Sequence, residues 1–152
     1  MLKKEEYLQE EKFTHEGLVE LLNKIVGKTL GEVDKKHVFD KTKSNPKITG
    51  IAGDVVEQSV LGYNANSKKR PDILVDGKTV EVKTTGICFE DKNNKNSQFV
   101  AKEPMSITAV SVNNIVDEEF YDSHFWNKIS NLLLIFMIQI LESWQRIMLI
   151  LF

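Results

Sequence analysis

Between Pro71 and Thr84 the chain changes its hydrophobic period, and that change constrains the fold more than any other feature. Ile73-Leu74-Val75 and Thr79-Val80-Glu81-Val82-Lys83-Thr84 are rich in β-branched residues, and Asp76-Gly77 between them is a strong signal for a two-residue hairpin turn. Pro71 biases Arg70 toward extended backbone, as suits entry into a strand. A β-hairpin is therefore predicted at the centre of the chain. A lone hairpin is not stable in water, so the flanking segments must cover it.

Those flanks read first as helices. Phe13 to Val26 places Phe13, Gly17, Leu18, Leu21, Leu22, Ile25 and Val26 on a 3.6-residue period, with Thr14 as N-cap and Gly27 as stop. Gly31-Glu32-Val33 is a short helical or turn element, and Lys41 to Pro46 reads as polar loop. Ile51 to Leu61 aligns Ile51, Val55, Val56, Val60 and Leu61 on one face, with Gly62 as terminator. Beyond the hairpin, Glu90 to Ser97 is a polar loop, Met105 to Val112 is strand-like, Asp117 to Ser130 looks helical and Leu132 to Phe136 reads as a buried strand. The fold class expected is α+β, a mixed sheet with a central hairpin flanked by helices. From Met137 the sequence turns apolar and loses its polar face. Residues 1–136 are thus expected to form the domain, and residues 137–152 an atypical tail. The polar residues Gln139, Glu142, Ser143, Gln145 and Arg146 interrupt that tail and argue against a membrane span.

The hairpin also concentrates charge. Asp72 opens its first strand, and Glu81 and Lys83 lie two apart on the second, so both point to one face while Val80 and Val82 point to the other. Two carboxylates and an ammonium then share a small site. Hydrolysis of a phosphodiester requires such a set, because an anionic phosphate repels its nucleophile until a cation neutralises it. Magnesium commonly takes one or two protein carboxylates, and Asp72 and Glu81 would be those ligands, with Lys83 orienting the nucleophile and stabilising developing charge. Glu-x-Lys alone more often describes a solvated strand, and it is the preceding Pro71-Asp72 at hairpin distance that favours the catalytic reading. Glu57, whose neighbours along its helix include Gly53, Val56, Val60 and Leu61, adds a third carboxylate within an otherwise apolar face.

The run from Gly50 to Lys83 combines a Gly-x-x-Gly-x-x-x-Glu helix, a Gly/Asn/Ser/Lys linker, Pro-Asp and Val-Glu-Val-Lys-Thr. It resembles the core of MutH-type endonucleases and of the GATC-cutting type II restriction enzymes that share their catalytic domain, all of the PD-(D/E)XK superfamily. Gly27-Lys28-Thr29-Leu30-Gly31-Glu32 is similar to the turn after the first helix of that family. The resemblance implies a restriction-endonuclease-like core, a Mg2+ cofactor, duplex DNA as partner, Asp72, Glu81 and Lys83 as the catalytic set, and Glu57 as an auxiliary acid. Two departures stand out: eight residues separate Asp72 from Glu81, slightly more than in the mismatch-repair members, and Thr49 replaces a basic residue for which Lys47 is the nearby substitute. In the family, base-reading residues lie largely beyond the point corresponding to Phe136. A chain truncated relative to its parent, and lacking a recognition region, is the resulting expectation.

Net charge is −2, which by itself disfavours a nucleic-acid binder. Its distribution matters more: residues 35–83 hold ten lysines and arginines against six carboxylates, a local balance of +4. Within that stretch Lys47, Lys68, Lys69 and Arg70 are the expected DNA contacts. The single Cys88 and the charged start of the chain point to a reducing cytoplasm rather than export. His15, His37 and His124 form no cluster, and Trp126 and Trp144 read as packing residues. A Mg2+-dependent endonuclease is the leading reading. An inactive DNA-binding module, or another repair nuclease or resolvase of the superfamily, are the alternatives.

Overall fold

A computed structural model describes residues 7–45, 50–64, 70–94, 96–109, 116–141 and 144–151, with backbone only for residues 139–151. A mixed sheet of six strands organises them: β1 (Lys12–Phe13), β2 (Ile73–Val75), β3 (Lys78–Phe89), β4 (Phe99–Ala101), β5 (Leu132–Leu141) and β6 (Trp144–Leu151). The spatial order is β1-β2-β3-β5-β6, with β4 also paired to β3. The contacts of β1 with β2 and of β3 with β5 are parallel, and the rest are antiparallel. The α+β architecture with a central hairpin is as the sequence suggests.

Asp76 and Gly77 make the hairpin turn with φ of 46° and 79°. Positive φ at both central residues is the twist-matched geometry that favours Asp-Gly. Asp76 also ties the turn to the N-terminal segment: its N–H donates to the Phe13 carbonyl at 3.0 Å, and its carboxylate accepts from the His15 N–H at 3.2 Å. Helix α1 (His15–Asn23) begins there, capped by Thr14 Oγ1, which accepts from the Gly17 N–H at 3.1 Å. A capping box of Thr29 and Glu32 starts α2 (Leu30–Val33). Lys41–Ser44, expected as loop, forms a helical turn, α3, started by the preceding 3-10 turn Val38–Asp40.

The helix expected over Ile51 to Leu61 is not uniform. An α-helical part, α4 (Ile51–Val55), opens into a π-helical turn over Val56–Leu61. The Glu57 carbonyl accepts from both the Gly62 N–H at 2.9 Å and the Tyr63 N–H at 3.2 Å, and Gly62 closes the turn with φ of 89°. These bonds span five and six residues where an α-helical bond spans four. Val55, Val56, Val60 and Leu61 from this element pack with Leu18 and Leu22 of α1 against Ile73, Val82, Leu133 and Ile135 of the sheet.

Three expectations downstream are corrected. Residues 105–109 carry no strand, and the remainder of the segment Met105 to Val112 lies outside the described residues; the strand pairing with β3 is Phe99–Ala101 instead. Asp117 to Ser130 is not one helix: Ser123 breaks it, accepting from the Trp126 N–H at 3.0 Å and capping α5 (His124–Ile129) after a 3-10 turn at Phe120–Asp122. Finally, Phe136 lies inside β5, which continues to Leu141 and pairs antiparallel with β6. The apolar run past Phe136 therefore continues β5 and supplies β6. Among the described residues no helix is long and apolar enough to cross a membrane.

Candidate active site

The hairpin register explains the spacing of the acidic residues. Ile73 pairs with Val80, so one step further Asp72 comes opposite Glu81. Eight intervening residues are what a two-residue turn and three paired rungs require. Asp72 is fixed there by the Val82 N–H, which donates to Asp72 Oδ2 at 2.8 Å. Burial raises the Asp72 carboxyl above its ordinary value, and the neighbouring Glu81 adds to the rise.

Glu81 is the buried heart of the site. It is 2% exposed, and its Oε1 accepts from Lys83 Nζ at 2.9 Å and from Lys128 Nζ at 3.2 Å. Oε2 is buried without a hydrogen-bond partner among the described residues. Lys83 shares the face of Glu81, as strand alternation requires, while Val82 is buried in the core. Lys128 comes from α5, and the strand that follows that helix meets β3 at the Glu81–Leu132 rung. The parallel pairing of β3 and β5 therefore delivers a helical lysine to a strand carboxylate. No motif in the sequence flags Lys128. The available signal was its position one helical turn before a strand, which becomes meaningful only when that strand is known to begin beside Glu81.

Glu57, on the π-helical turn, joins the same charge cluster. Burial, reinforced by the Asp72, Asp54 and Glu81 carboxylates and only partly offset by Lys83, raises its carboxyl to about 7. Asp54, one helical turn earlier, is paired with Lys41 at 3.2 Å. An open cleft of about 970 Å³ borders the site, lined by Gly53, Asp54 and Glu57 of this element, by Lys83, Thr84 and Thr85 of β3, and by residues 102–106. The structure thus brings together Asp72, Glu81, Lys83 and Glu57.

The expected DNA contacts fare differently. Arg70 is turned inward: its guanidinium donates to Glu11 Oε2 at 2.6 Å and to the Pro71 carbonyl at 3.1 Å, and stacks 3.7 Å over the Tyr7 ring. With its side chain 9% exposed, it is committed to the scaffold and is withdrawn from the phosphate-binding set. The other three, Lys47, Lys68 and Lys69, lie outside the described residues.

Over residues 61–145, more than half of its length, the sequence matches the family of the DNA mismatch repair enzyme MutH. The chain belongs to the MutH family. No curated protein and no solved structure matches it. The MutH match contains Asp72, Glu81, Lys83 and Lys128, and begins just after Glu57. Membership makes the chain a nuclease of the PD-(D/E)XK type, with DNA as substrate. Nucleases of the MutH kind generally depend on divalent metals, and the donors present fit one. All are hard carboxylate oxygens, one of them is a buried oxygen lacking a partner, and burial, with the neighbouring acids, raises the Asp72 and Glu57 carboxyls above their ordinary values. No three His, Cys, Asp or Glu side chains form a closed cage among the described residues. Magnesium does not need one, since it is commonly held by one or two carboxylates plus substrate oxygens.

Proposed function

We propose that this chain is a Mg2+-dependent endonuclease that hydrolyses phosphodiester bonds of duplex DNA at GATC or a closely similar site, as a type II restriction enzyme or a mismatch-repair nicking enzyme. One observation carries the reading: a buried Glu81 with two lysines on one oxygen and none on the other, directly opposite an anchored Asp72. Asp72 and Glu81 would hold the metal, which when bound neutralises the scissile phosphate and activates the attacking water.

The remaining chemistry belongs to side chains. Lys83 and Lys128, held on Glu81 Oε1, keep two positive charges beside the place where a phosphate would bind, and there stabilise charge developing on its oxygens. Glu57, with a carboxyl near neutrality, can accept or return a proton at the cleft wall. In the overall reaction one phosphorus–oxygen bond of the backbone breaks, water supplies the replacing oxygen, and its proton passes to the leaving oxygen through solvent or a nearby acid. Lys47, Lys68 and Lys69 would contact the flanking phosphates.

Purified chain incubated with duplex DNA is expected to cut in Mg2+ and not in chelator, and the chain extended by the remainder of a homologous enzyme is expected to prefer GATC-containing over scrambled duplex. Equal cutting of scrambled duplex by the extended chain overturns the site preference, and equal cutting in chelator overturns the metal.

A further inference from the structure

Between Val80, the last residue of β3 paired with β2, and Ile87, the first paired with β4, strand β3 has a strand neighbour on one edge only, namely β5. Both β2 and β4 lie on the other edge, because β5 occupies the first from Glu81 to Ile87. The interval from Val82 to Gly86 is therefore a gap in the sheet, and all of it lines the cleft. Asp72 stands at one end of the gap, accepting from the Val82 N–H at 2.8 Å. Lys102 stands at the other, its N–H donating to the Gly86 carbonyl at 3.0 Å.

Lys102 differs from the other lysines around the site. Lys83 and Lys128 are held on Glu81, and Lys41 is held on Asp54. Lys102 is exposed, lines the cleft and has no ion pair among the described residues. Its stem is nonetheless seated. A Cβ at position 86 would lie 3.4 Å from Lys102 Cδ and 3.5 Å from its Cβ, so the stem lies over the bare backbone of Gly86, where any side chain would touch it. A lysine so placed lays its methylenes on the protein and keeps its ammonium in water. Glu103, the next residue, also borders the cleft and opposes an anion there, but the lysine is the longer side chain and reaches further.

We propose that Lys102 binds a backbone phosphate of the DNA strand being cut, at the end of the gap away from Asp72. Lys83 and Gly86 are three residues apart, about 10 Å along an extended strand. Each DNA strand advances about 3.4 Å per nucleotide along the helix axis. For a strand lying along the gap, with its scissile phosphate at Asp72, Glu81 and Lys83, Lys102 therefore meets a phosphate about three nucleotides away. Such a contact sets the register of the strand over the site and reads no bases, so a duplex of any sequence reports it.

This inference rests on the nuclease reading above, and its test separates the two. Affinity of the full chain for a duplex of arbitrary sequence is measured by fluorescence anisotropy over a series of salt concentrations, in chelator and again in Mg2+. The parent is compared with Lys102→Met, which keeps a stem and removes the charge, and with Lys24→Met. Lys24 is an exposed lysine outside the cleft, paired with Glu20 on α1, and its loss changes net charge equally. Expected for Lys102→Met is binding about 5-fold weaker near 0.1 M salt, with the slope of log affinity against log salt smaller by about 0.9. Lys24→Met should keep the parent's slope. An unchanged slope in Lys102→Met overturns the inference, and so do equal losses in the two variants, which reduce the effect to net charge; both leave the nuclease reading standing. A parent that binds no duplex, in chelator or in Mg2+, removes both.

Discussion

Among the described residues two glutamates are buried against cations, and they are buried in opposite ways. Glu11 is 1% exposed, and its Oε2 accepts from Arg70 at 2.6 Å and from the Leu8 N–H at 2.7 Å, with the guanidinium stacked on Tyr7 and bonded to the Pro71 carbonyl. Tyr7 completes the arrangement by donating its hydroxyl to the same carbonyl at 3.0 Å. Glu81 is 2% exposed, yet two flexible lysines crowd one of its oxygens and the other is left over. The first pair is a lock that fixes the chain immediately before Asp72. The second is the proposed metal site. Burial and ion pairing alone do not distinguish scaffold from chemistry; the carboxylate oxygen that the lysines of Glu81 leave over does.

The largest expected effect is on the unsatisfied side. Glu81→Ala should lower Mg2+-dependent cleavage on the order of 10³-fold, while metal-free thermal stability changes little. Lys83 and Lys128 have side chains 26% and 21% exposed and can turn their ammonium groups to water when their partner goes. Glu11→Ala should show the converse pattern. Breaking a buried pair costs about 3–5 kcal/mol, read as a lower denaturation midpoint in urea. If Glu81→Ala destabilises the chain as much as Glu11→Ala does, the distinction between lock and site collapses.

Much of the site was legible because it is local. A two-residue turn flanked by β-rich runs fixes the register, and the register puts Asp72 opposite Glu81 and sends Lys83 to the face of Glu81. Helix caps at Thr14 and Gly62 were likewise readable, each being a property of a few neighbouring residues. What escaped is non-local. Lys128 reaches Glu81 only because β5 runs parallel to β3, a pairing between segments some fifty residues apart that no local pattern encodes. Arg70 was misplaced for the same reason: its partners, Tyr7 and Glu11, lie in a segment whose charge reads as surface until the fold buries it. The π-helical turn at Glu57 went unseen because its apolar spacing is also that of an α-helix.

A smaller effect separates the two regions by pH. In the folded chain the Glu57 carboxyl is raised from its ordinary 4.5 to about 7. Below the unfolded value the acid is neutral in both states and its contribution to stability is fully present. That contribution is lost as pH rises through the folded value, because ionising a buried acid beside Asp72 and Asp54 is unfavourable. The metal-free parent should therefore lose stability between about pH 4.5 and 7 on this account, and Glu57→Gln should flatten that decline. Thermal unfolding at a series of pH values measures it; an unchanged slope in Glu57→Gln would place the titrating group elsewhere.

The smallest effect concerns three adjacent basic residues, Lys68, Lys69 and Arg70, which the sequence presents as one patch and of which Arg70 alone lies among the described residues. Arg70 is spent on Glu11 and the Pro71 carbonyl, whereas Lys68 and Lys69 remain proposed phosphate contacts. Replacing both lysines by alanine should leave stability within about 0.5 kcal/mol, as for most surface substitutions. It should weaken binding to duplex DNA of any sequence, and should reduce the dependence of log affinity on log salt by about 1–2, because each phosphate neutralised contributes about 0.9 to that slope. Arg70→Ala should do the reverse, lowering the denaturation midpoint while the salt slope of the folded protein stays at the parent's value. The measurement is DNA affinity at several salt concentrations for both variants, beside urea denaturation of each. A salt slope that falls with Arg70→Ala and holds with the double lysine variant would return Arg70 to the DNA surface and reduce the lock to a pairing that DNA displaces.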